Sequence, residues 1–161
     1  MNTRIEILLV DDNIADVKLA LHALGKHGEQ EKVAVVRDGE EALEFLFGEG
    51  RHANPEVTRS LKLILLDLKL PKINGFEVLQ AIKNNVNTKS IPVVVLTSSN
   101  QERDLRESYQ LGANSFVQKP VDFDRFRELI ELIEQYWVCV NHAPPDASPE
   151  SSEEVAGEAL P

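Results

Sequence analysis

The feature that most restricts the fold of this chain is a regular alternation of short apolar runs with segments of helical periodicity. Runs such as Leu63-Ile64-Leu65-Leu66 are bounded by polar or turn residues and are typical of strands buried on both faces. We predict strands over residues 5–10, 33–36, 61–66, 92–96 and 115–118. Apolar residues at intervals of three or four predict helices over residues 14–27, 40–47, 76–84, 99–112 and 122–138.

Five strands that alternate with five helices favour an α/β domain in which helices cover both faces of a parallel sheet. Right-handed crossovers leave few possible strand orders. We therefore predict a flavodoxin-like (βα)5 doubly wound parallel sheet with the strand order 2-1-3-4-5. Ser99 and Glu102 form a capping-box pattern that opens the fourth helix, and Gly112 closes it. Residues 48–60 are predicted to form a long polar loop.

Acidic residues follow two of the predicted strands. Asp11 and Asp12 end the first strand, and Asp67 ends the third. These strands are neighbours in the predicted order, so we expect the three carboxylates to meet at the carboxyl edge of the sheet, where open α/β folds bind ligands. Carboxylate oxygens are the ligands that Mg²⁺ prefers. The cluster therefore predicts a magnesium site with one carboxylate that is able to react with phosphate.

The composition agrees with one domain that has a full apolar core. The chain has 161 residues, 42% of them hydrophobic and 27% charged, with a net charge of -10. This charge argues against binding to nucleic acid or an anionic membrane. Its single cysteine, Cys139, cannot form an internal disulfide. We predict a cytoplasmic protein with a domain over residues 1–140 and an acidic, disordered tail over residues 141–161.

Polar residues also follow the last two predicted strands. Thr97 ends the fourth, and Lys119 ends the fifth immediately before Pro120. Together with the strand-end acids and the turn over residues 69–75, these motifs resemble the receiver domain of two-component response regulators, the CheY-like family, over residues 5–138. The resemblance implies that a sensor histidine kinase transfers a phosphoryl group to Asp67. It also implies no enzymatic activity beyond the chain's own phosphotransfer and autodephosphorylation.

Each site residue has a chemical role in this reading. Asp12, Asp67 and the backbone carbonyl of Lys69 are able to ligate Mg²⁺, while Asp11 holds a bound water. Asp67 is the nucleophile, Lys119 supplies a cation to the phosphoryl oxygens, and Thr97 supplies a hydroxyl donor.

The family resemblance implies two further features. The peptide between Lys119 and Pro120 is expected to be cis. The signal is expected to pass through an inward movement of Thr97, after which Phe116 turns into the space beneath the fourth helix.

Residues 45–50, residues 63–71 and the Tyr136-Trp137 pair resemble the small response regulators of cyanobacterial phytochrome-type kinases. This narrower resemblance implies a phytochrome-type kinase as the partner. The fifth helix also has a wide apolar face, and exposed aromatic residues favour an interface. We predict that this helix, the fourth helix and the fifth strand form a homodimer or kinase contact, with these contributing residues: Phe126, Ile130, Tyr136 and Trp137.

Two other classes of protein use a similar sheet. A haloacid-dehalogenase-type phosphohydrolase also has a strand-end aspartate as nucleophile, but it requires a second acid two residues later, where this chain has Lys69. A flavodoxin-like binding module requires a hydroxyl-rich phosphate loop after the first strand. The anions Asp11 and Asp12 stand there instead and would repel a flavin phosphate. A receiver that no longer takes phosphate would lack one of the key residues, all of which are present here.

Overall fold

The computed structural model describes residues 4–25, 32–48 and 55–145. Within these residues, five parallel strands form one sheet in the order β2-β1-β3-β4-β5, which confirms the predicted topology. The strands are β1 (Ile7–Val10), β2 (Val33–Val36), β3 (Leu63–Leu66), β4 (Val93–Thr97) and β5 (Ser115–Gln118). Most of the predicted tail, residues 146–161, lies outside the described residues.

The helices are α1 (Ile14–Gly25), α2 (Gly39–Phe47), α3 (Pro55–Ser60), α4 (Gly75–Asn84), α5 (Glu102–Gln110) and α6 (Phe123–Glu134). A π-helical segment (Gln135–Val140) continues α6. The short helix α3 corrects the prediction of a loop over residues 48–60. Its first residue is Pro55, a position where the missing N–H has no helical partner to lose. The fourth and fifth predicted helices are therefore α5 and α6. Among the described residues, no helix is long enough and apolar enough to cross a membrane.

The core consists of two layers, one on each face of the sheet. Alternate residues of the central strands point to opposite faces, because successive side chains of a strand alternate. Leu8, Val10 and Leu66 pack with α2 and α4, while Leu9 and Leu65 pack with α1 and α6. Because both faces are covered, the central strands are apolar throughout, and the first polar residues occur at their carboxyl ends.

Ser99 takes part in the start of α5, but without the predicted capping box. The residue before the helix, Gln101, makes no side-chain cap. The Ser99 hydroxyl accepts a hydrogen bond from the Gln101 N–H at 3.2 Å and donates to Asp104 Oδ2 at 2.6 Å. The capping-box prediction with Glu102 is therefore wrong, because the serine reaches an acid one half-turn further along the helix.

The packing of α5 is sparse. Ser108 is its one buried residue, while Leu105 and Tyr109 remain 38% and 50% exposed. Gly112 follows the helix with a φ of 104°, as its predicted role as terminator requires. Its N–H donates to the Tyr109 carbonyl at 3.1 Å. The helix is thus held by hydrogen bonds more than by apolar burial.

Two of the residues predicted for an interface on α6 belong to the core instead. Phe126 is 2% exposed and Ile130 is fully buried, because α6 packs on α1 as well as on the sheet. The wide apolar face of this helix is explained by those two contacts. Tyr136 is exposed and Trp137 is partly buried against the same core layer, with their ring centroids 4.9 Å apart in an edge-to-face pair.

The chain between β3 and α4 forms a loop that approaches the sheet closely where α4 begins, at Gly75. A Cβ atom on this residue would collide with the Asp67 carbonyl oxygen and would lie 2.5 Å from the Leu68 Cα atom. The Gly75 N–H donates to the Leu68 carbonyl at 2.9 Å, which holds the two segments together. In the same loop, Lys72 has a φ of 66°, a conformation that costs energy for a residue with a side chain.

Replacing Gly75 with alanine is therefore expected to lower the free energy of unfolding by about 1–3 kcal/mol, as other overpacked sites do. Chemical denaturation of wild type and variant measures the difference. Lys72→Gly is a control in the same loop, and it should raise stability slightly, because glycine adopts positive φ without strain. Equal stability of Gly75→Ala and wild type would show that the loop yields easily.

Candidate functional site

Asp11 and Asp67 meet because their strands pair in register. Val10 lies opposite Leu66 in the β1–β3 ladder, so the next residue of each strand projects from the same edge of the sheet. The Asp67 N–H continues the ladder by donating to the Val10 carbonyl at 2.9 Å. Asp11 is 2% exposed and Asp67 is 7% exposed, so each carboxylate is largely removed from water. The predicted meeting of the strand-end acids is confirmed.

The Lys119 ammonium lies among these acids. Its Nζ atom is 2.9 Å from Asp11 Oδ2, 2.9 Å from Asp67 Oδ2 and 2.8 Å from Asp16 Oδ2. The backbone delivers it there, because the Lys119 N–H donates to the Thr97 carbonyl at 2.7 Å and extends the β4–β5 pairing by one residue. Lys119 thus joins the ends of strands β1, β3 and β5 in one ion-pair cluster.

The peptide between Lys119 and Pro120 is trans, which differs from the cis bond that the family resemblance implies. The trans form of such a bond is favoured intrinsically by about 0.5–1 kcal/mol. The side chain of Lys119 reaches all of its carboxylate partners with the trans peptide, so the ion-pair cluster does not require the cis form.

Asp16 is the residue of this site that sequence reasoning missed. It lies in the first turn of α1, where the Asn13 side chain accepts a hydrogen bond from its N–H at 3.1 Å. Asn13 could have indicated the position of Asp16 from the sequence. Asparagine is a favourable helix cap, and a helix that starts there begins at the same edge of the sheet as the strand-end acids. The sequence does not show how α1 is rotated about its axis, and this rotation turns Asp16 inward towards Lys119.

The electrostatics of the cluster keep the lysine charged. Burial raises the pKa of Asp11 to about 6, against the effect of hydrogen bonds from Lys119 and the Asn13 N–H. Burial alone would lower the pKa of Lys119, but its hydrogen bonds to Asp11 and Asp16 and the charge of Asp67 raise it above the usual value. Lys119 is therefore a permanent cation at neutral pH and not a proton donor.

The three acids predicted to bind metal offer a suitable donor set. Asp11, Asp12 and Asp67 each present a carboxylate oxygen, and these oxygens all lie within 4.8 Å of one another. Asp12 is exposed, whereas the other two acids are buried. Backbone N–H groups of Asn13 and Lys69 donate to the Oδ1 atoms of Asp11 and Asp67, at 3.0 and 3.2 Å, and fix their orientation. A compact set of hard oxygen donors fits a divalent cation such as Mg²⁺ or Mn²⁺.

Thr97 connects the acidic cluster to α5. It is fully buried at the end of β4, and its Oγ1 accepts a hydrogen bond from the Ser99 N–H at 3.3 Å. Ser99 in turn donates from its hydroxyl to Asp104, whose backbone carbonyl accepts from the Ser108 hydroxyl at 2.7 Å. A chain of hydrogen bonds thus runs from the site edge of the sheet into the middle of the sparsely packed helix.

Phe116 lies on β5 and is partly buried against the core layer that contains α2 and α4. Its backbone N–H donates to the Tyr109 hydroxyl of α5 at 3.2 Å. An open groove of about 380 Å³ separates this residue from the segment that leads into α5, with a lining that includes Ser99, Leu105 and Phe116. The predicted position of Phe116, between the site and the α5 surface, agrees with this arrangement.

Comparisons with known proteins give the same assignment as the geometry. The family model for the response regulator receiver domain matches residues 7–131. A probable methanogenesis regulatory protein, FilR2 of Methanothrix harundinacea, is 41% identical over 139 residues, which cover 86% of each chain.

Solved structures of similar proteins share the fold. The phosphorylated cyanobacterial phytochrome response regulator RcpA is 39% identical, with a TM-score of 0.81 over 88% of this chain and 99% of that one. The Mn²⁺-bound form of the response regulator Rcp1 is 37% identical, with a TM-score of 0.76 over 86% of this chain and 98% of that one. The matched fold, the acids at the ends of neighbouring strands and the family match together show that this chain belongs to the response regulator receiver domain family.

Proposed function

We propose that Asp67 is the residue of this receiver domain that accepts a phosphoryl group from a histidine kinase. The observation that carries the proposal is the cation at the acceptor: Lys119 Nζ lies 2.9 Å from Asp67 at the carboxyl edge of the sheet. A carboxylate attacking an anionic phosphoryl group meets electrostatic repulsion, and a fixed cation beside it lowers that repulsion. Receiver domains of this family are phosphorylated by histidine kinases, so the donor class follows from the family.

The proposed reaction is a direct transfer. An Asp67 carboxylate oxygen forms a bond to phosphorus, while the bond between phosphorus and the kinase histidine nitrogen breaks and leaves its electron pair on that nitrogen. Lys119 keeps its proton throughout and balances charge on the phosphoryl oxygens. In this proposal the Thr97 hydroxyl, at the end of the adjacent strand, donates a hydrogen bond to one of those oxygens.

We propose Mg²⁺ as the resident cation, held by Asp11, Asp12 and Asp67 with the backbone carbonyl of Lys69. The donor set is compact and purely oxygen, which suits Mg²⁺ and Mn²⁺ alike. Rcp1, a relative, has been crystallised with Mn²⁺ bound. When bound, such a cation supplies positive charge that offsets the repulsion between the acceptor and the incoming phosphoryl group.

A phytochrome-type kinase is the proposed partner. RcpA, with 39% identity, is a cyanobacterial phytochrome response regulator. FilR2, which is similarly identical to this chain, is named as a probable methanogenesis regulatory protein. Sequence identity alone therefore does not identify the partner kinase. Comparing phosphotransfer rates from a purified phytochrome-type kinase and from a chemotaxis-type kinase tests this part of the proposal. A faster transfer from the chemotaxis-type kinase would reject the phytochrome pathway.

Phosphorylation itself is tested most directly with a small donor. Wild-type protein incubated with acetyl phosphate and Mg²⁺ should gain the mass of one phosphoryl group, and chelation of the metal should prevent the gain. Peptide mapping after reduction with borohydride should locate the modification at Asp67. A stable modification at another residue, with none at Asp67, would refute the assignment.

The proposed output is a phosphorylation-dependent homodimer or partner contact on the face of α5, β5 and α6. Support comes from the exposed apolar side chains of Leu105 and Tyr109 on α5, and from Tyr136 beyond α6. The hydrogen-bond chain through Ser99 and Asp104 offers a route by which Thr97 controls the position of α5. Phe126 and Ile130, being buried, take no part in this face.

Thr97→Ala should therefore leave Asp67 able to accept phosphate while removing the effect of phosphorylation on association. Sedimentation velocity with and without beryllofluoride, a stable phosphoryl mimic, measures association. Wild type should shift on adding the mimic, and Thr97→Ala should not. Ser98→Ala, next to Thr97 but exposed, serves as the control and should behave as wild type. An equal shift for Thr97→Ala and wild type would exclude coupling through Thr97.

A further inference from the structure

Among the residues that the structure describes, Asp16 is the one partner of Lys119 that belongs to neither the proposed acceptor nor the proposed metal ligands. Its Oδ2 atom is 2.8 Å from Lys119 Nζ, as close as either of the other two carboxylates. Its side chain is 23% exposed, whereas those of Lys119 and Asp67 are each 8% exposed. Asp16 therefore closes the cluster on its solvent side.

The other two partners of Lys119 are both engaged by the proposed reaction. The Asp67 carboxylate becomes an acyl phosphate and loses its own negative charge, and Asp11 is also a ligand of the proposed Mg²⁺. An ammonium has three N–H groups, and a lysine side chain is flexible, so it keeps one position only while several acceptors hold it. Asp16 is chemically unchanged by the transfer, and the cap at Asn13 fixes the helical turn that carries it.

We propose, building on the assignment of Asp67 as phosphoacceptor, that Asp16 is a positioning residue that holds the Lys119 ammonium beside the acceptor before and after phosphoryl transfer. Asp16 acts through Lys119 and does not touch the phosphoryl group. The chemistry of the transfer is unchanged. An Asp67 oxygen forms a bond to phosphorus, the bond between phosphorus and the donor breaks and leaves its electron pair on the donor, and Lys119 keeps its proton. Without Asp16, the ammonium loses the partner that the reaction leaves unchanged, its position beside the acceptor is no longer fixed, and both formation and hydrolysis of the acyl phosphate slow.

A simple alternative is that Asp16 stabilises α1 as a negative charge in its first turn. Asp124 occupies the same kind of position in α6, where it pairs with Arg127 at 2.8 Å and is far more exposed, at 78%. Asp124→Asn therefore removes a first-turn charge with no contact to Lys119 and provides a matched control. Asp16→Glu keeps a carboxylate on a longer side chain and tests for rescue.

The experiment follows labelling by acetyl phosphate with Mg²⁺ in wild type, Asp16→Asn, Asp16→Glu and Asp124→Asn. We expect Asp16→Asn to lower the initial labelling rate about tenfold, since small misplacements of a charged group at a reacting centre have effects of this order or larger. Asp16→Glu should recover most of the rate, and Asp124→Asn should match wild type. An Asp16→Asn rate equal to or above that of wild type overturns the proposal. In that case, the weaker repulsion of the anionic acetyl phosphate would outweigh any effect of Asp16 on the position of Lys119.

A second measurement needs no phosphorylation. The side-chain ammonium of Lys119 is observed by nitrogen-15 NMR in metal-free protein and assigned by its loss in Lys119→Met. Its protons should exchange slowly in wild type and Asp124→Asn, and faster in Asp16→Asn, because Asp16 closes the cluster on its solvent side and accepts from the Lys119 ammonium. An unchanged signal in Asp16→Asn overturns the positioning role. If wild type takes no label at Asp67, the phosphoacceptor assignment fails, and the NMR comparison still decides whether Asp16 holds the ammonium.

Discussion

Asp67→Asn is expected to abolish phosphorylation by acetyl phosphate and by a histidine kinase. An amide oxygen is a poor nucleophile, and the substitution also removes one of the three acids of the proposed cation site. The effect should be a complete loss of the added phosphoryl mass and not a reduced rate. The folded state should survive, because the remaining acids Asp11 and Asp16 still pair with Lys119 and one source of repulsion on Asp11 is gone.

The matched control for this variant is Asp38→Asn. Asp38 also follows a strand at the carboxyl edge of the sheet, but it caps α2 through the Glu41 N–H, and its cationic partner is Lys72 at 3.4 Å. The Asp38→Asn protein should be phosphorylated as wild type is, even if its stability falls. Intact mass spectrometry of both variants under one set of conditions decides the matter. Persistent labelling of Asp67→Asn at a new residue would mean that the cluster activates donors without a dedicated acceptor.

Lys119→Met is expected to produce the largest change in stability. The substitution keeps the apolar stem but leaves Asp11 and Asp67, with side chains 3% and 8% exposed, without their shared cation. Removing one partner from a buried ion pair leaves an uncompensated charge, and we expect a loss of about 3–5 kcal/mol in free energy of unfolding without metal. Millimolar Mg²⁺ should restore part of the loss, because it neutralises the same carboxylates and binds the native state.

Lys83→Met separates this effect from the loss of any hydrogen-bonded, half-buried lysine. Lys83 donates to the carbonyls of Lys89 and Ile91 and to Asn114 Oδ1, at 2.9–3.0 Å, so its partners are uncharged. Burial lowers its pKa to about 8. Stability of Lys83→Met should fall less and should not respond to Mg²⁺ through this site. Urea denaturation of both variants, with chelator and with Mg²⁺, gives the comparison, and a Lys119→Met protein as stable as wild type in chelator would contradict the prediction.

The strand order and the meeting of Asp11 with Asp67 were predictable, because apolar runs mark buried strands and the first polar residue marks their carboxyl ends. Lys119 and Thr97 could be placed for the same reason. These residues belong to the backbone ladder, whose geometry leaves little freedom once the order is known.

The features that the sequence did not reveal depend on helix rotation and on choices among local partners. Asp16 turns inward only because of how α1 lies on the sheet. The sequence pattern offered Glu102 to Ser99, but the Ser99 hydroxyl donates to Asp104, and Glu102 pairs with Arg106. Phe126 and Ile130 looked available for a partner because helical spacing does not show that α6 packs on α1 as well as on the sheet.

The sparse packing of α5 also sets how the output should respond to temperature. This helix buries Ser108 and leaves Leu105 and Tyr109 more than a third exposed, so it is able to change position with little transfer of apolar surface to water. Apolar exposure is the main source of heat-capacity change in proteins. A rearrangement of α5 therefore carries a small heat-capacity change, and the ratio of the two forms should follow a nearly straight van 't Hoff line, so that a single enthalpy describes the output over a broad range of temperatures.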